Sequence, residues 1–216
     1  MAAPGDIAVD RFELGPIGTN CYVVRASRGA EEAVVIDPSG DAAQLRLELA
    51  RLGTRCAAIL ITHGHWDHLL GVADLAEGTG APVHMAEDEQ ALLENLPELV
   101  PAGVHARPYK ADVLLKGDEE LELAGLTFQT LRVPGHSPGH LAFHADTSLF
   151  SGDVLFSGSV GRTDLPGADW DTLVETLRDL TERFPAETVV YSGHGPPTTL
   201  GDELASNPFL APLRAS

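Results

Sequence analysis

The stretch Ile59-Leu60-Ile61-Thr62-His63-Gly64-His65-Trp66-Asp67-His68-Leu69-Leu70-Gly71-Val72 decides the fold of this chain. The apolar run that ends in it, from Ala57 to Ile61, is short and contains β-branched residues, which is typical of a buried strand. A second apolar run begins at Leu69, and we expect a helix from there to about Glu77. Polar residues crowd the junction between strand and helix, where ligands bind in open α/β folds. They are His63, His65, Asp67 and His68.

Three imidazoles and one carboxylate packed into this junction are costly as a purely structural feature. The imidazoles repel one another when protonated, and their lone pairs lack partners when neutral, unless a cation gathers them. Imidazole and carboxylate groups are also ligands that zinc and other divalent metals accept. The pattern His-x-His-x-Asp-His therefore predicts a metal site. A surface loop that is His-rich by chance is the disfavoured alternative.

Three later polar residues each follow a predicted strand directly, with glycine immediately before: His136, Asp153 and His194. Glycine lets the backbone turn sharply at the end of a strand, so we expect these side chains to converge on the first cluster. Together the two sets supply five imidazoles and two carboxylates. One metal needs about four ligands, so seven ligands predict two metal ions. Asp153 is the natural bridge between them.

The chain contains two series of predicted strands, one before and one after residue 100. Amphipathic helices accompany both series. One begins at Asp41, which is suited to cap it, and another begins at Asp169. A third, from Glu87 to Leu96, is expected to turn an acidic face to solvent. Two packed β-sheets with helices on the outer faces satisfy this α+β pattern, and we expect residues 1–216 to form a single domain.

Composition excludes several classes of function. The chain has 32 acidic and 14 basic residues and a formal net charge of −18, which argues against a nucleic-acid partner because phosphate binding needs clustered Lys and Arg. No apolar run approaches the length of a membrane span, and Met1 to Asp10 lacks the pattern of a secretory signal. We therefore expect a cytoplasmic protein with a small-molecule substrate, of open oligomeric state. Cys21 and Cys56 are expected to be buried, inert thiols.

The motifs of this chain resemble those of the metallo-β-lactamase superfamily. They are Thr-His-x-His-x-Asp-His at 62–68, Pro-Gly-His at 134–136, Gly-Asp at 152–153 and Gly-His at 193–194. Within that superfamily the chain is most similar to short glyoxalase II-like (hydroxyacylglutathione hydrolase-like) thioester hydrolases. That closer similarity extends to Thr19-Asn20-Cys21-Tyr22, Gly161-Arg162-Thr163-Asp164 and Asn207-Pro208-Phe209-Leu210.

The resemblance implies an αβ/βα sandwich of two mixed β-sheets with a metal site at one edge. It implies that one metal is held by His63, His65 and His136, and the other by Asp67, His68 and His194, with Asp153 bridging the two. Full-length glyoxalase II has a C-terminal helical extension that binds glutathione. Since only about twenty residues follow His194, no separate C-terminal substrate domain is expected.

Other branches of the superfamily resemble this chain less. Metallo-β-lactamases lack a bridging aspartate such as Asp153, and acyl-homoserine-lactone lactonases carry a tyrosine just after the bridge, where this chain has Phe156. The tRNA-processing nucleases need a basic surface, which the acidic composition disfavours. Flavodiiron-type relatives carry an additional flavin domain, for which no residues remain.

The resemblance thus implies a dinuclear metallohydrolase that cleaves a small acyl-thiol ester such as S-lactoylglutathione. Two divalent ions, zinc first and iron or manganese as alternatives, would share a bridging hydroxide, because metals lower the pKa of water from 15.7 towards about 7. Asp67 is expected to orient this hydroxide as well as bind metal. A thiolate leaves readily, with a thiol pKa of about 8.5, so no general acid is required. Arg162 is the candidate for binding an anionic part of the substrate, and an ion pair with Asp164 or Asp169 is its alternative role.

Other functions stay open at this stage. A persulfide dioxygenase would hold one iron with His63, His136 and Asp153. A hydrolase of another small ester or lactone would use the full ligand set. A non-enzymatic metal-binding or scaffold protein would keep its role without Asp67. His140 is either a partner that orients a metal ligand or a structural residue, whereas His84, His105 and His144 are not expected to be ligands.

Overall fold

The structure, a computed structural model, describes residues 7–215 of the chain, with side chains up to residue 213. The expectation that Met1 to Asp10 carries no secretory signal, and the outer limits of the single domain at 1 and 216, therefore fall partly outside the described residues. Within the described part, two six-stranded β-sheets pack face to face, and a separate two-stranded hairpin lies beside the second sheet.

The first sheet contains the strands of the N-terminal half in sequence order. They are β1 (Ala8–Leu14), β2 (Thr19–Arg25), β3 (Glu32–Ile36), β4 (Arg55–Leu60), β5 (Val83–Ala86) and β6 (Val113–Leu115). The pairs β1–β2 and β2–β3 are antiparallel, whereas β3 to β6 run parallel to one another. The carboxyl ends of β3, β4 and β5 therefore lie at the same edge of this sheet, together with the start of β2.

The second sheet contains strands of the C-terminal half. In sequence they are β7 (Glu120–Leu123), β8 (Leu126–Arg132), β9 (Leu141–Ala145), β10 (Ser148–Gly152), β11 (Leu155–Phe156), β12 (Ser159–Val160), β13 (Val189–Ser192) and β14 (Thr198–Thr199). The sheet order is β14-β13-β10-β9-β8-β7, and β11–β12 form the separate hairpin. β10 and β13 are parallel and the other pairs are antiparallel, so β8, β10 and β13 all end at one edge.

Helices cover the outer faces of both sheets. In sequence they are α1 (Ala42–Leu52), α2 (Trp66–Leu69), α3 (Val72–Thr79), α4 (Gln90–Glu94), α5 (Leu96–Leu99), α6 (Trp170–Arg183) and α7 (Leu200–Ser206), with 3-10 turns at Glu87–Glu89 and Pro208–Ala215. In the described part of the chain, no helix combines the length and the apolar character that crossing a bilayer requires.

Strand periodicity divides the apolar side chains among three layers. Val34 and Ile36 of β3 point between the sheets, where they share a core with Phe128, Phe143 and Phe150 of the second sheet. Alternate residues of the first sheet pack under α1 and α3, and those of the second pack under α6 and α7. Because strands buried on both faces need apolar residues throughout, the strands read as short apolar runs. The predicted α+β sandwich is confirmed.

Capping residues that are visible in the sequence mark the starts of two helices and the end of one of them. Asp41 Oδ1 accepts hydrogen bonds from the amides of Ala43 at 2.9 Å and Gln44 at 3.1 Å, and Gly53 ends α1 in the left-handed conformation. Asp169 caps α6 through the amide of Thr172 at 2.8 Å. Both starts were predicted from the sequence.

The helix predicted from Leu69 to about Glu77 is wrong in its form. The segment forms two helices, α2 and α3, separated at Leu70–Gly71. The Gly71 amide donates a hydrogen bond to the carbonyl of Pro38 at 2.7 Å, and a Cβ at position 71 would lie 2.5 Å from the carbonyl oxygen of Gly40. This close backbone approach redirects the chain, and only glycine allows it.

The predicted helix from Glu87 to Leu96 is also wrong, because a 3-10 turn, α4 and α5 replace it. Its acidic run is not uniformly solvated. Glu87 and Asp88 are exposed, but Glu89 is buried, with 2% of its surface accessible. Three short elements, β6, the β11–β12 hairpin and β14, were not predicted, because two- and three-residue strands carry no periodicity.

Both cysteines are buried, as predicted. Burial raises the pKa of the Cys56 thiol to about 12 and holds the pKa of Cys21 well above its usual value. Such thiols stay protonated and unreactive.

Candidate metal centre

The fold brings all seven predicted ligand residues to one edge of the sandwich. His63 and His65 follow β4, and Asp67 and His68 lie in α2 directly after them. The second sheet contributes its three residues from the loops after β8, β10 and β13. The described residues form three groups that could hold a metal ion, in each of which one ligand atom per residue lies within 4.8 Å of the others: His63, His65 and His136; His63, His68 and Asp153; Asp67, His68 and His194.

Hydrogen bonds determine which ring nitrogens of His63 and His136 carry protons. The Thr62 hydroxyl donates to Asp37 at 2.7 Å, so it can only accept from His63 Nδ1, which lies 3.1 Å away. His136 Nδ1 donates to the carbonyl oxygen of Arg162 at 2.8 Å. A neutral imidazole has one N–H and one lone pair. The Nε2 atoms of both residues therefore present lone pairs to the site.

His65 completes this first group. Its Nδ1 lies 3.0 Å from His63 Nε2 and 2.8 Å from His136 Nε2. A single N–H on His65 can serve only one of the two lone pairs that it faces. A cation at the centre of the three nitrogens would satisfy all of them, so these residues fit a metal ion.

The group formed by Asp67, His68 and His194, called the second group below, has unpaired polar atoms of the same kind. His68 Nδ1 faces Asp37 Oδ2 at 2.8 Å, and His68 Nε2 lies 3.4 Å from both Asp67 Oδ2 and Asp153 Oδ1. Among the described residues, neither His68 Nε2 nor Asp153 Oδ1 has a hydrogen-bond partner, although both are buried. A separation of 3.4 Å is too long for a good hydrogen bond. It matches the spacing of about 3.4 Å between two ligand atoms that each lie about 2.1 Å from a tetrahedral ion.

Asp153 lies between the two groups. Its Oδ1 faces His68, whereas its Oδ2 lies 3.6 Å from His136 Nε2 and 3.6 Å from His194 Nε2. His194 Nε2 also lies 3.3 Å from Asp67 Oδ2. The carboxylate of Asp153 therefore faces residues of both groups.

Most of the imidazoles and carboxylates are held in the protonation states that bind metal. Burial, reinforced by the charge of His136, lowers the pKa of His65 to about 4, and burial with the neighbouring imidazoles holds the pKa of His63 well below its usual value. Burial raises the pKa of Asp153, but the charge of His68 outweighs it and the net pKa is far below the usual value. His68 and His194 differ. Asp153 and Asp37 outweigh the effect of burial and raise the pKa of His68, and the hydrogen bond with Asp67 raises the pKa of His194. A metal would displace the extra proton from each ring.

Two supporting residues were missed by the sequence analysis. Asp37 accepts hydrogen bonds from the Thr62 amide at 2.8 Å and from the Thr62 hydroxyl, and it orients His68. The Thr19 hydroxyl donates to Asp67 Oδ2 at 2.7 Å. Asp37 directly follows β3, so its position at a strand end was a usable signal.

His140 makes contacts through both ring nitrogens. Its Nε2 accepts a hydrogen bond from the Asp153 amide at 3.1 Å, its Nδ1 lies 3.1 Å from the carbonyl oxygen of Leu141, and its ring stacks on His63 at 4.5 Å. Of the two roles left open, this geometry favours a partner that orients ligands. His84, His105 and His144 belong to none of the candidate groups formed by the described residues.

Arg162 is exposed, and its guanidinium is paired with a carboxylate. Its Nε and Nη2 donate to Asp164 Oδ1 at 2.6 Å and Oδ2 at 2.7 Å. This is one of the ion pairs considered from the sequence. The backbone of Arg162 also touches the centre, because its carbonyl accepts the hydrogen bond from His136.

Residues 14–194 match the family model described as the metallo-beta-lactamase superfamily. The chain belongs to this superfamily. The predicted resemblance and the predicted fold are therefore confirmed, and the His and Asp clusters lie where the motifs indicated.

Relatives of this metallo-β-lactamase superfamily member include two with assigned names. The "Probable metallo-hydrolase YqgX" of Bacillus subtilis is 35% identical over 207 residues, which cover 93% of this chain and 96% of the relative. The "Hydroxyacylglutathione hydrolase GloC" of Haemophilus influenzae is 35% identical over 191 residues, which cover 83% of this chain and 88% of the relative.

Two solved structures are similar to this chain. BLEG-1, described as a B3 metallo-beta-lactamase, superposes with a TM-score of 0.88 at 38% identity and covers 94% of this chain and 100% of its own. TTHA1623, solved in a di-iron-bound form, superposes with a TM-score of 0.75 at 40% identity over the same shares.

Proposed function

We propose that this superfamily member hydrolyses a small acyl-thiol ester, of the class of S-lactoylglutathione, with the help of two divalent metal ions. One observation carries the proposal: imidazole lone pairs converge on each other and on Asp153 Oδ1, a buried carboxylate oxygen that lacks a hydrogen-bond partner among the described residues. The relative named hydroxyacylglutathione hydrolase supports the substrate class.

The proposed ligands follow the groups described above. His63, His65 and His136 would hold one ion, Asp67, His68 and His194 the other, and Asp153 would bridge. Ligands that offer only nitrogen and oxygen do not choose strongly among first-row metals, so zinc is proposed with iron or manganese as alternatives. The di-iron-bound neighbour supports two ions in this arrangement and keeps iron among the candidates.

When bound, the two ions would supply a water of lowered pKa and polarise the thioester carbonyl. The chain's own residues would position the attacking water. The Thr19 hydroxyl donates a hydrogen bond to one oxygen of Asp67 at 2.7 Å. This bond fixes the direction of the carboxylate, which can then accept a hydrogen bond from the attacking water. The departing thiolate is stable with a thiol pKa of about 8.5, so no residue need protonate it.

The dioxygenase alternative fits the geometry less well. One iron held by His63, His136 and Asp153 would leave the lone pair of His65 and the contacts among Asp67, His68 and His194 unexplained. Charged and polar groups packed at such distances without a cation are costly. Oxygen uptake still distinguishes the two activities directly.

Opening of a β-lactam ring is a second candidate because one similar structure is described as a B3 metallo-beta-lactamase. Asp153 disfavours this activity, because the resemblance implies that metallo-β-lactamases lack a bridging aspartate at this position. Arg162 remains the proposed contact for an anionic group, which would have to compete with Asp164.

The test is a substrate panel on protein whose metal content has been measured. It contains S-lactoylglutathione, the same acyl group on other thiols, a homoserine lactone, a β-lactam, and glutathione persulfide with an oxygen electrode. We expect close to two ions per chain and the fastest turnover on one of the thioesters.

The proposal fails if fully metallated protein cleaves no thioester. One iron per chain with oxygen consumed on the persulfide would establish the dioxygenase instead, and preferred cleavage of the β-lactam or lactone would change the substrate class while keeping the metal site.

A further inference from the structure

Glu89, a buried carboxylate outside the predicted ligand set, touches both of the loops that carry the first histidine group. It lies at the end of the 3-10 turn that follows β5 and is 2% exposed. Its Oε2 accepts a hydrogen bond from the amide of Gly64, which stands between His63 and His65. Its Oε1 accepts from the Ser137 hydroxyl at 2.5 Å and from the Gly139 amide at 2.9 Å, directly after His136.

The two loops joined by Glu89 belong to different sheets. Gly64 lies after β4 of the first sheet, and Ser137 and Gly139 lie between β8 and β9 of the second. A single carboxylate therefore links the two halves of the sandwich beside the first group. Hydrogen bonds to an ionised carboxylate are shorter and stronger than those between neutral groups, so this link restricts the spacing of the loops.

Packing around Glu89 confirms how closely the loops approach it. A Cβ at Gly64 would lie 2.9 Å from Glu89 Oε2, and a Cβ at Gly139 would lie 2.6 Å from Glu89 Cγ. Both loops thus have glycine where the carboxylate needs access to a backbone amide.

The second group is supported by other residues. Thr19 holds Asp67 and Asp37 holds His68, as described above. The hydrogen bonds of Glu89 go to the loops that carry His63, His65 and His136 and not to the residues of the second group.

We propose that Glu89 is a positioning residue that sets the distance between the His63–His65 loop and His136, and with it the metal affinity of that group. The second group, Asp67, His68 and His194, keeps its affinity without Glu89. This inference rests on the proposed two-metal function and deepens it, because it assigns a residue that controls the occupancy of one of the two sites.

The experiment compares Glu89→Gln and Glu89→Ala with the wild type and with Glu87→Gln, which changes an exposed residue of the same turn. Zinc binding is measured by chelator competition, and the two sites are followed separately as Co²⁺ spectra, assigned with His65→Ala and His194→Ala. Residues that orient metal ligands commonly contribute about 10- to 100-fold in affinity. We expect a loss of that size at the first group, an unchanged second group, and no change in Glu87→Gln.

The outcomes separate this inference from the proposed function. If wild-type protein binds two ions and both Glu89 variants bind them equally well, the role of Glu89 is refuted and the proposed function stands. An equal loss at both sites shows general loosening of the fold and also refutes it. If Glu89→Ala does not fold, Glu89→Gln, which keeps one acceptor oxygen, carries the test. A wild type that binds no metal refutes both proposals.

Discussion

The amide of Asp153 donates a hydrogen bond to His140 Nε2 at 3.1 Å, so the backbone of the proposed bridging residue is held by a buried imidazole. His140 in turn stacks on His63 at 4.5 Å with their rings 14° from parallel. One residue thus contacts members of both sheets at the centre without an available lone pair of its own.

Replacing His140 with Ala should therefore weaken metal binding. The Asp153 amide would lose its buried acceptor, at a cost on the order of 1–3 kcal/mol, and the carboxylate would no longer be fixed. We expect the affinity for metal to fall about 10- to 100-fold with the sheets still formed. Chelator competition and circular dichroism check this. His144→Ala is the matched control, because His144 packs on Phe184 away from the centre, and an equal effect of the two changes would contradict the assignment.

Asp67→Ala should abolish most of the turnover on the preferred thioester. Loss of a residue that positions the reacting water commonly costs on the order of 10²- to 10⁴-fold in rate. Asp67 is also a proposed ligand, so the second metal should bind more weakly. Steady-state kinetics at saturating zinc separate the two effects. Asp74→Asn, on the exposed face of α3, should retain full activity; retained activity in Asp67→Ala would remove Asp67 from the mechanism.

Removing metal should lower the melting temperature. Ligands that bind only the folded state stabilise it, by about 4 kcal/mol at a free concentration one thousand times the dissociation constant. For a chain of this size that corresponds to a shift on the order of 10 °C. Calorimetry with a chelator and then with added zinc measures it. The same melting temperature in both conditions would mean that these residues do not hold an ion.

The ion pair of Arg162 and Asp164 can decide the role of Arg162. If the guanidinium binds an anionic group of the substrate, Asp164→Asn should lower KM several-fold by releasing it, and Arg162→Ala should raise KM by about 10-fold. Neither change should alter kcat strongly. Kinetics on an anionic and a neutral thioester provide the measurement. Equal effects on both substrates would assign the pair to structure alone.

Stability in acid should depend on Glu119, which belongs to none of the candidate metal groups formed by the described residues. Burial raises the pKa of this carboxyl, but hydrogen bonds from the amides of Lys116 and Gly117 and from the Thr130 hydroxyl outweigh it and lower the pKa from 4.5 to about 2. A lowered folded-state pKa contributes stability that is complete above about pH 4.5 and is lost as the pH falls through about 2.

The corresponding experiment is urea unfolding of Glu119→Gln between about pH 5 and pH 3.5. We expect the variant to be less stable than wild type at the higher pH by about 1 kcal/mol, and the difference to shrink as the pH falls. Glu120→Gln, an exposed neighbour, should show no such trend. A constant difference across this range would exclude ionisation of Glu119 as its source.

The metal centre was predictable because each of its ligand-type residues comes soon after a strand that the sequence itself predicts. His136, Asp153 and His194 each follow a strand directly, and parallel strands deliver their carboxyl ends to one edge. Asp37 shares that position, but without a preceding glycine it resembled an ordinary turn residue.

Other features depend on contacts that no local pattern contains. Glu87 and Asp88 are exposed while Glu89 is buried, although all three carry the same charge. Contacts with two distant loops, at Gly64 and at Ser137–Gly139, determine which one turns inward. The break between α2 and α3 has the same origin, because Gly71 meets the backbone of Pro38 and Gly40.

Under the proposed ligation, each ion takes two ligands from the segment that follows β4, and two from the second sheet, one of which is the shared Asp153. Neither half of the molecule would supply all the ligands of an ion by itself, so the two ions would link the two halves. Full release of an ion would then require it to lose ligands from both halves, so the release rate would depend on motion of the halves relative to each other. The rate at which metal is lost into metal-free buffer would thus report on the relative motion of the two halves of the sandwich.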